Sequence, residues 1–231
     1  MPGKAKILSL VLAVSFIAST GSGTCSDQTI DWTKVAGEIE ASQPQGFSNE
    51  DAGRSSKQRE AIYAELDKFR QADEQRLLAE LVEQPANVQS FISQYAVSRK
   101  LKAAVPRLIQ IYNSQDRASI QEVLVMSVAN LAGESNRPFL LDASTAKNIS
   151  ARRAAVDALA VLPHDHETIT RLRILLLSDP AWTVRERAAW ALGNFPNDQW
   201  AKQGLDQALG EEQGIIQAIK LSLVKIKNLN K

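Results

Sequence analysis

One apolar spacing returns every 31 to 33 residues along most of this chain, and that recurrence narrows the choice of fold more than any other feature. The clearest copy is Ser178 to Pro196, SDPAWTVRERAAWALGNFP. Val184, Ala188, Ala191, Leu192 and Phe195 fall at i, i+4, i+7, i+8 and i+11, and an α-helix gathers such positions on one face. Asp179-Pro180 opens the helix, because proline fits the first turn, where its missing N–H would have no partner. Gly193, Asn194 and Pro196 close it. Moving back 33 positions lands on Ala151, Ala155, Ala158, Leu159 and Leu162, and Arg152 falls on Arg185. A further 31 back gives Ile120, Leu124, Ser127, Val128 and Leu131. Another 32 gives Val88, Ile92, Tyr95 and Ala96, with Arg99 breaking the last position. Moving forward 31 from the clearest copy gives Ile215, Ile219, Ser222, Leu223 and Ile226. A helix of this kind cannot bury its apolar face alone. Copies at a fixed period bury it against one another, which is the mark of a solenoid.

Second helices are expected between these copies, at Ala104 to Tyr112, about Pro138 to Ser144, Glu167 to Leu177 and Asp198 to Leu209. From Ser56 onward no window alternates with period two, so strands are not expected. Two more helices are expected ahead of the repeats, Lys57 to Arg70 and Asp73 to Glu83. The repeating unit is therefore a helix–turn–helix pair.

DPAWTVRERAAWALGNF resembles the HEAT repeat, in the short form also found in phycobilisome lyases; NISARRAAVDALAVL is similar but lacks the Asp-Pro. The resemblance covers about residues 85 to 228. It implies an all-α fold, a right-handed α-solenoid of about five HEAT-like helix–turn–helix repeats over residues 57–231. It also implies a ladder between repeats, with Asp179 and Arg185 as structural inter-repeat residues. Valued as a partly exposed pair, they would contribute about 0–1 kcal/mol and serve mainly to set register.

The N-terminal segment reads as an address. Lys4 and Lys6 precede an apolar run from Ile7 to Ala18, and small residues follow. That is the layout of a signal peptide, assigned to residues 1–23. The twelve-residue run falls short of the roughly 20 residues a spanning helix needs. Cys25, the single cysteine, sits just past the run, an arrangement that resembles a bacterial lipoprotein with Cys25 as the lipid attachment site. Cleavage after Ser22 or Gly23 would instead leave a soluble exported protein. Residues 24–56, rich in Ser, Gly, Gln and charge, read as a flexible tether. Within it, Trp32, Val35 and Ile39 lie near one face of a short helical stretch; a loosely docked arm is the preferred reading.

Composition excludes some functions. Lys+Arg is 27 against Asp+Glu 26, and without Lys4 and Lys6 the balance is 25 − 26 = −1. No basic field draws in nucleic acid. One cysteine allows no internal disulfide and no thiolate metal cage. There is no Gly-rich phosphate loop and no G-x-S-x-G elbow, so no catalytic residue is assigned. The two histidines stand in one loop, His164-Asp165-His166-Glu167. Adjacent residues alone would make an open, weak metal site, so His164 and His166 are weak candidates and no cofactor is expected. The other reading of the loop is Asp165 capping the helix from Glu167.

What remains is surface. Trp182 and Trp190 fall on the far side of the clearest helix. They either pack between repeats or meet a partner, where tryptophan is enriched among energetic anchors. Trp200 is expected in the core. Arg107 and Arg171 are equivalent positions two repeats apart (171 − 107 = 64) on second helices. They either face solvent or meet a carboxylate-bearing partner. The reading as a whole is a non-catalytic protein–protein scaffold in the bacterial cell envelope, periplasmic or lipid-anchored. The alternative is an enzyme or a carrier of a small ligand or metal, using the concave groove or the loop His164 to Glu167.

Overall fold

The positions aligned by the repeat offsets are the core of the protein. In a computed structural model, which describes residues 29–43, 49–211 and 214–229, nearly all of them are buried. Leu162 and Leu223 alone are half-buried; Ser127 and Ser222 fill core positions as small side chains. The described residues contain eleven α-helices and no strand. They are α1 Trp32–Ala41, α2 Asn49–Glu80, α3 Ala86–Ser98, α4 Val105–Ser114, α5 Ala118–Ala132, α6 Arg137–Ala143, α7 Ile149–Leu159, α8 His166–Ser178, α9 Trp182–Leu192, α10 Gln199–Glu211 and α11 Ile216–Leu229. The recurring helices α3, α5, α7, α9 and α11 each pack on the next, forming one layer of an all-α solenoid. The second helices α4, α6, α8 and α10 alternate with them, and α8 packs on α10. The described residues thus hold four complete pairs, with α11 as a fifth recurring helix.

The amphipathic stretch at Trp32 does not behave as a loose arm. It is a formed helix, capped by Asp31, whose side chain accepts from the Lys34 N–H at 3.0 Å. Val35 and Ile39 are buried, and the Trp32 indole donates to Glu80 at 2.6 Å. Three apolar side chains on one face dock against α2 and α3, and the ordering entropy is offset there. The helix expected from Lys57 begins earlier, at Asn49. So residues 24–56 include two helical segments rather than a uniform spacer. Asp73 breaks α2, with φ −157° and ψ 90°, and its carboxylate caps the next helical turn by accepting from the Arg76 N–H at 2.9 Å. The second of the two helices expected ahead of the repeats starts at that same residue. Arg99, the residue that breaks the repeat pattern, lies over the Tyr63 and Tyr95 rings and pairs with Asp67 at 3.0 Å.

A polar ladder runs between repeats, and its partners differ from those expected. Gln89, Gln121, Arg152 and Arg185 each follow the first core position of a recurring helix. Each side chain donates to a main-chain carbonyl just upstream: Val82 at 2.9 Å, Gln115 at 2.6 Å, Ala146 at 2.8 Å and Asp179 at 2.8 Å. The first three also pair with the residue that leads into the next repeat. Gln115 donates to Gln89 at 2.7 Å, and Asn148 to Gln121 at 3.2 Å. Arg152 forks onto both Asp179 oxygens at 2.7 and 2.9 Å. The Asp179 carboxylate thus belongs to Arg152 of the preceding repeat, while Arg185 meets Asp179 through its carbonyl. The rung is also buried, with side-chain exposures of 9% and 3%, so the valuation as a partly exposed pair does not hold.

Recurring helices come close where the side chains are small. A Cβ built on Gly193 would fall 2.9 Å from Ser222 Cβ and 3.1 Å from its Cα. Gly193→Ala is expected to destabilise the chain by about 1–3 kcal/mol through overpacking and to loosen α11. Hydrogen exchange of the α11 amides measures this; unchanged protection would mean the two helices separate freely.

The core divides at α7. Ala151, Ala154, Ala155, Ala158 and Leu159 belong to an apolar cluster that runs back to Val35. Val156 belongs to a second cluster that runs on to Ile226. At the same step the second layer is thinnest, because α6 has only seven residues. There Arg137 bridges instead, donating to Thr168 at 2.6 Å and to the Pro163 carbonyl at 3.0 Å.

Candidate functional site

On a helix whose core positions are 184, 188, 191, 192 and 195, residue 190 points away from the core. Trp190 is 41% exposed. The repeat offsets carry its position back to Asp157 and Met126 and forward to Leu221. Met126 is 39% and Leu221 43% exposed. Because α5, α7, α9 and α11 stack in order, these residues form one row along the outer side of the recurring helices. Trp182, at the start of α9, is 56% exposed, and its equivalent Ile149 is exposed as well. Of the two uses open to Trp182 and Trp190, exposure favours the surface one. Next along, a shallow cleft between α3 and α5 is lined by Gln94, Val97, Glu122, Val123 and Met126. Scattered single apolar residues on a surface need no explanation, but equivalent ones in register do.

Asp157 interrupts the row. Burial pushes its carboxyl up; Arg187, at 3.7 Å, and Arg153 pull it back only in part, and Glu122 adds to the rise. A half-buried acid flanked by two arginines gives an apolar row one polar, orientable point.

The other expected residues scatter. His164 and His166 do not converge. His164 Nε2 lies 2.8 Å from Asp198 of the next repeat and its ring sits beside Phe195. Burial raises the Asp198 carboxyl, but hydrogen bonds from His164 and from the Ala201 and Trp200 N–H groups outweigh it, and the net shift is downward. His166 meets Trp200 instead. Asp165 caps α8, accepting from the Thr168 N–H at 2.9 Å, the structural role weighed for that loop. Among the described residues, no three His, Cys, Asp or Glu side chains gather as a metal would require. Arg107 is exposed on α4 and donates to Gln110 on its own helix at 3.0 Å; Arg171 is half-buried on α8. Trp200 is not core. It is 40% exposed, because the apolar face of α10 is taken by Ala201, Leu205 and Ala208. Residues 1–23 and Cys25 lie outside the described residues. No helix among the described residues is long and apolar enough to cross a membrane.

Met126 and Leu221 escaped the sequence reading although the offset that aligned the core also aligned them. The inter-repeat partner Arg152 escaped it because the rung reaches one repeat back. Two overlapping stretches, residues 105–193 and 137–219, match the family model described as HEAT repeats. No curated protein matches the chain.

Proposed function

This chain carries HEAT repeats over residues 105–219, and from that premise we propose that it is a non-catalytic scaffold that binds another protein in the bacterial cell envelope. HEAT repeats commonly act as protein-interaction scaffolds. The observation that supports a particular surface is the row Met126, Trp190 and Leu221, equivalent positions that are all exposed. Tryptophan supplies a large, rigid contact, and methionine adapts to irregular partners. Trp182 and Ile149 widen the surface toward the helix starts. The near-neutral charge, +1 over the whole chain, favours protein over nucleic acid as the partner. The envelope placement rests on the signal-peptide layout of residues 1–23, and an anchored form would rest on Cys25.

Affinity purification from envelope extracts is expected to recover a stoichiometric partner. The double variant Trp190→Ala/Leu221→Ala should lose it, since central anchors each contribute about 2 kcal/mol or more. Its thermal unfolding should stay that of the parent chain. Equal recovery from parent and variant would remove this surface from the proposal. Fatty-acid labelling that persists in Cys25→Ala would remove Cys25 as the point of attachment.

A further inference from the structure

Each recurring helix turns one face toward the next repeat, and the offsets show which residues lie on it. Of the buried apolar residues of α7, only Val156 joins the cluster that runs forward to Ile226, so its position looks forward. Its equivalents Ser93, Val125 and Ala189 are, like Val156, fully excluded from solvent. On α11 the same position is Lys220, and it is exposed. One turn on, Gly193 of α9 packs against Ser222, whereas its equivalent on α11, Val224, is half exposed. The forward face of α11 is therefore the line Ile216, Lys220, Leu223, Val224 and Lys227. α11 packs on α9 and α10, and neither covers Lys220, Val224 or Lys227. Lys220 and Lys227 stand two turns apart on nearly one angle, about 10 Å from each other along the axis, with Leu223 and Val224 between them.

The charge on this face has one sign. α11 carries three lysines and no acid. Lys225 donates to Asn194, while Lys220 and Lys227 have no partner among the described residues. Across from them on α10, Asp206 is taken by Lys202 at 2.9 Å. Even with Glu211 and Glu212 counted, residues 199–231 hold five lysines against three acids. A second copy is a poor occupant. Turned about a two-fold axis, its α11 runs antiparallel, and a pairing centred between Leu223 and Val224 sets Lys220 of each copy against Lys227 of the other. Like charges held in register oppose association.

We propose that the forward face of α11 is a docking site for an amphipathic helix of a partner protein, one that carries two carboxylates seven residues apart with apolar residues between them. The carboxylates meet Lys220 and Lys227, and the apolar residues cover Leu223 and Val224. The helix takes the place that the next recurring helix holds in the earlier repeats. The class of partner rests on the scaffold reading; the face is separate from that presented by Met126 and Trp190.

The chain itself supplies the probe. In the double variant Lys220→Glu/Lys227→Glu, α11 becomes a helix with carboxylates at that spacing around Leu223 and Val224. Sedimentation velocity on full-length chains is expected to show the parent and the double variant each monomeric alone. Mixed, they should associate about tenfold or more tightly than either does with itself, since every like-charge contact becomes an opposite one. Both substitutions are at exposed positions, so the helical signal should match the parent. Val224→Ser in the parent should weaken the mixed complex, and Trp190→Ala should leave it unchanged, so failure of the outer row and failure of this face read differently. Self-association of the parent as tight as the mixed complex, or a mixture no tighter than its components, would overturn the proposal. So would co-sedimentation of the parent with phosphatidylglycerol vesicles that is lost in the double variant, because the face would then belong to an anionic lipid surface.

Discussion

Replacing Asp179 by alanine is expected to destabilise the chain by about 3–5 kcal/mol, because it strands the Arg152 guanidinium in the interior. Both side chains are nearly excluded from solvent, and the fork is two-pronged. Asp179 also accepts from the Ala181 N–H at 2.8 Å, so the start of α9 loses its support in the same step. Denaturant unfolding followed by helical signal reads the loss. A change under about 1 kcal/mol, the size of a surface pair, would mean the rung marks register and little else. The upstream rung suggests its own control. Arg152→Gln with Asp179→Asn copies the Gln121–Asn148 pair, and removing both charges together leaves neither stranded. This double variant should stand well above Asp179→Ala in stability, since replacing both partners avoids the penalty of an orphaned charge.

Leu159→Ala is expected to cost about 2–5 kcal/mol, whereas Trp190→Ala should change stability by no more than about 0.5 kcal/mol. The contrast is instructive because tryptophan is the larger side chain. Leu159 is fully buried at a recurring core position of α7, and its removal leaves a cavity. Trp190 stands on the far side of α9, where truncation exposes little that was covered. In a repeat array each unit contacts only its neighbours, so hydrogen exchange should show the Leu159→Ala loss concentrated in α5, α7 and α9. A Trp190→Ala loss comparable to that of Leu159→Ala would mean that the indole packs between repeats and does not face a partner.

The core was legible in the sequence because one geometric fact, the period of the helix, places all five recurring positions inward. The inter-repeat ladder was only half legible. Gln89 and Gln121 do the work of Arg152 with a different functional group, and a pattern built on Asp and Arg passes over them. Trp200 misleads because its bulk suggests burial, while three smaller residues of α10 already fill the space against α8. The segment at Trp32 looks like tether by its composition. Three side chains on one helical face outweigh that composition once α2 and α3 offer a surface. For the candidate sites, angle places Trp182 and Trp190 off the core face, but exposure depends on neighbours that a single helix cannot show.

The parting of the core at α7 bears on how the chain responds to force. Helices on either side are bound into their own apolar clusters, while α7 serves both as a shared spar beside the thin step at α6. The Arg152–Asp179 fork and the Arg137–Thr168 bond tie the two sides across this seam. Met126 lies on one side of it and Trp190 on the other, so a partner gripping both acts as a splint. Under the proposed function, stiffening on occupancy, not only adhesion, would be part of what such a surface does.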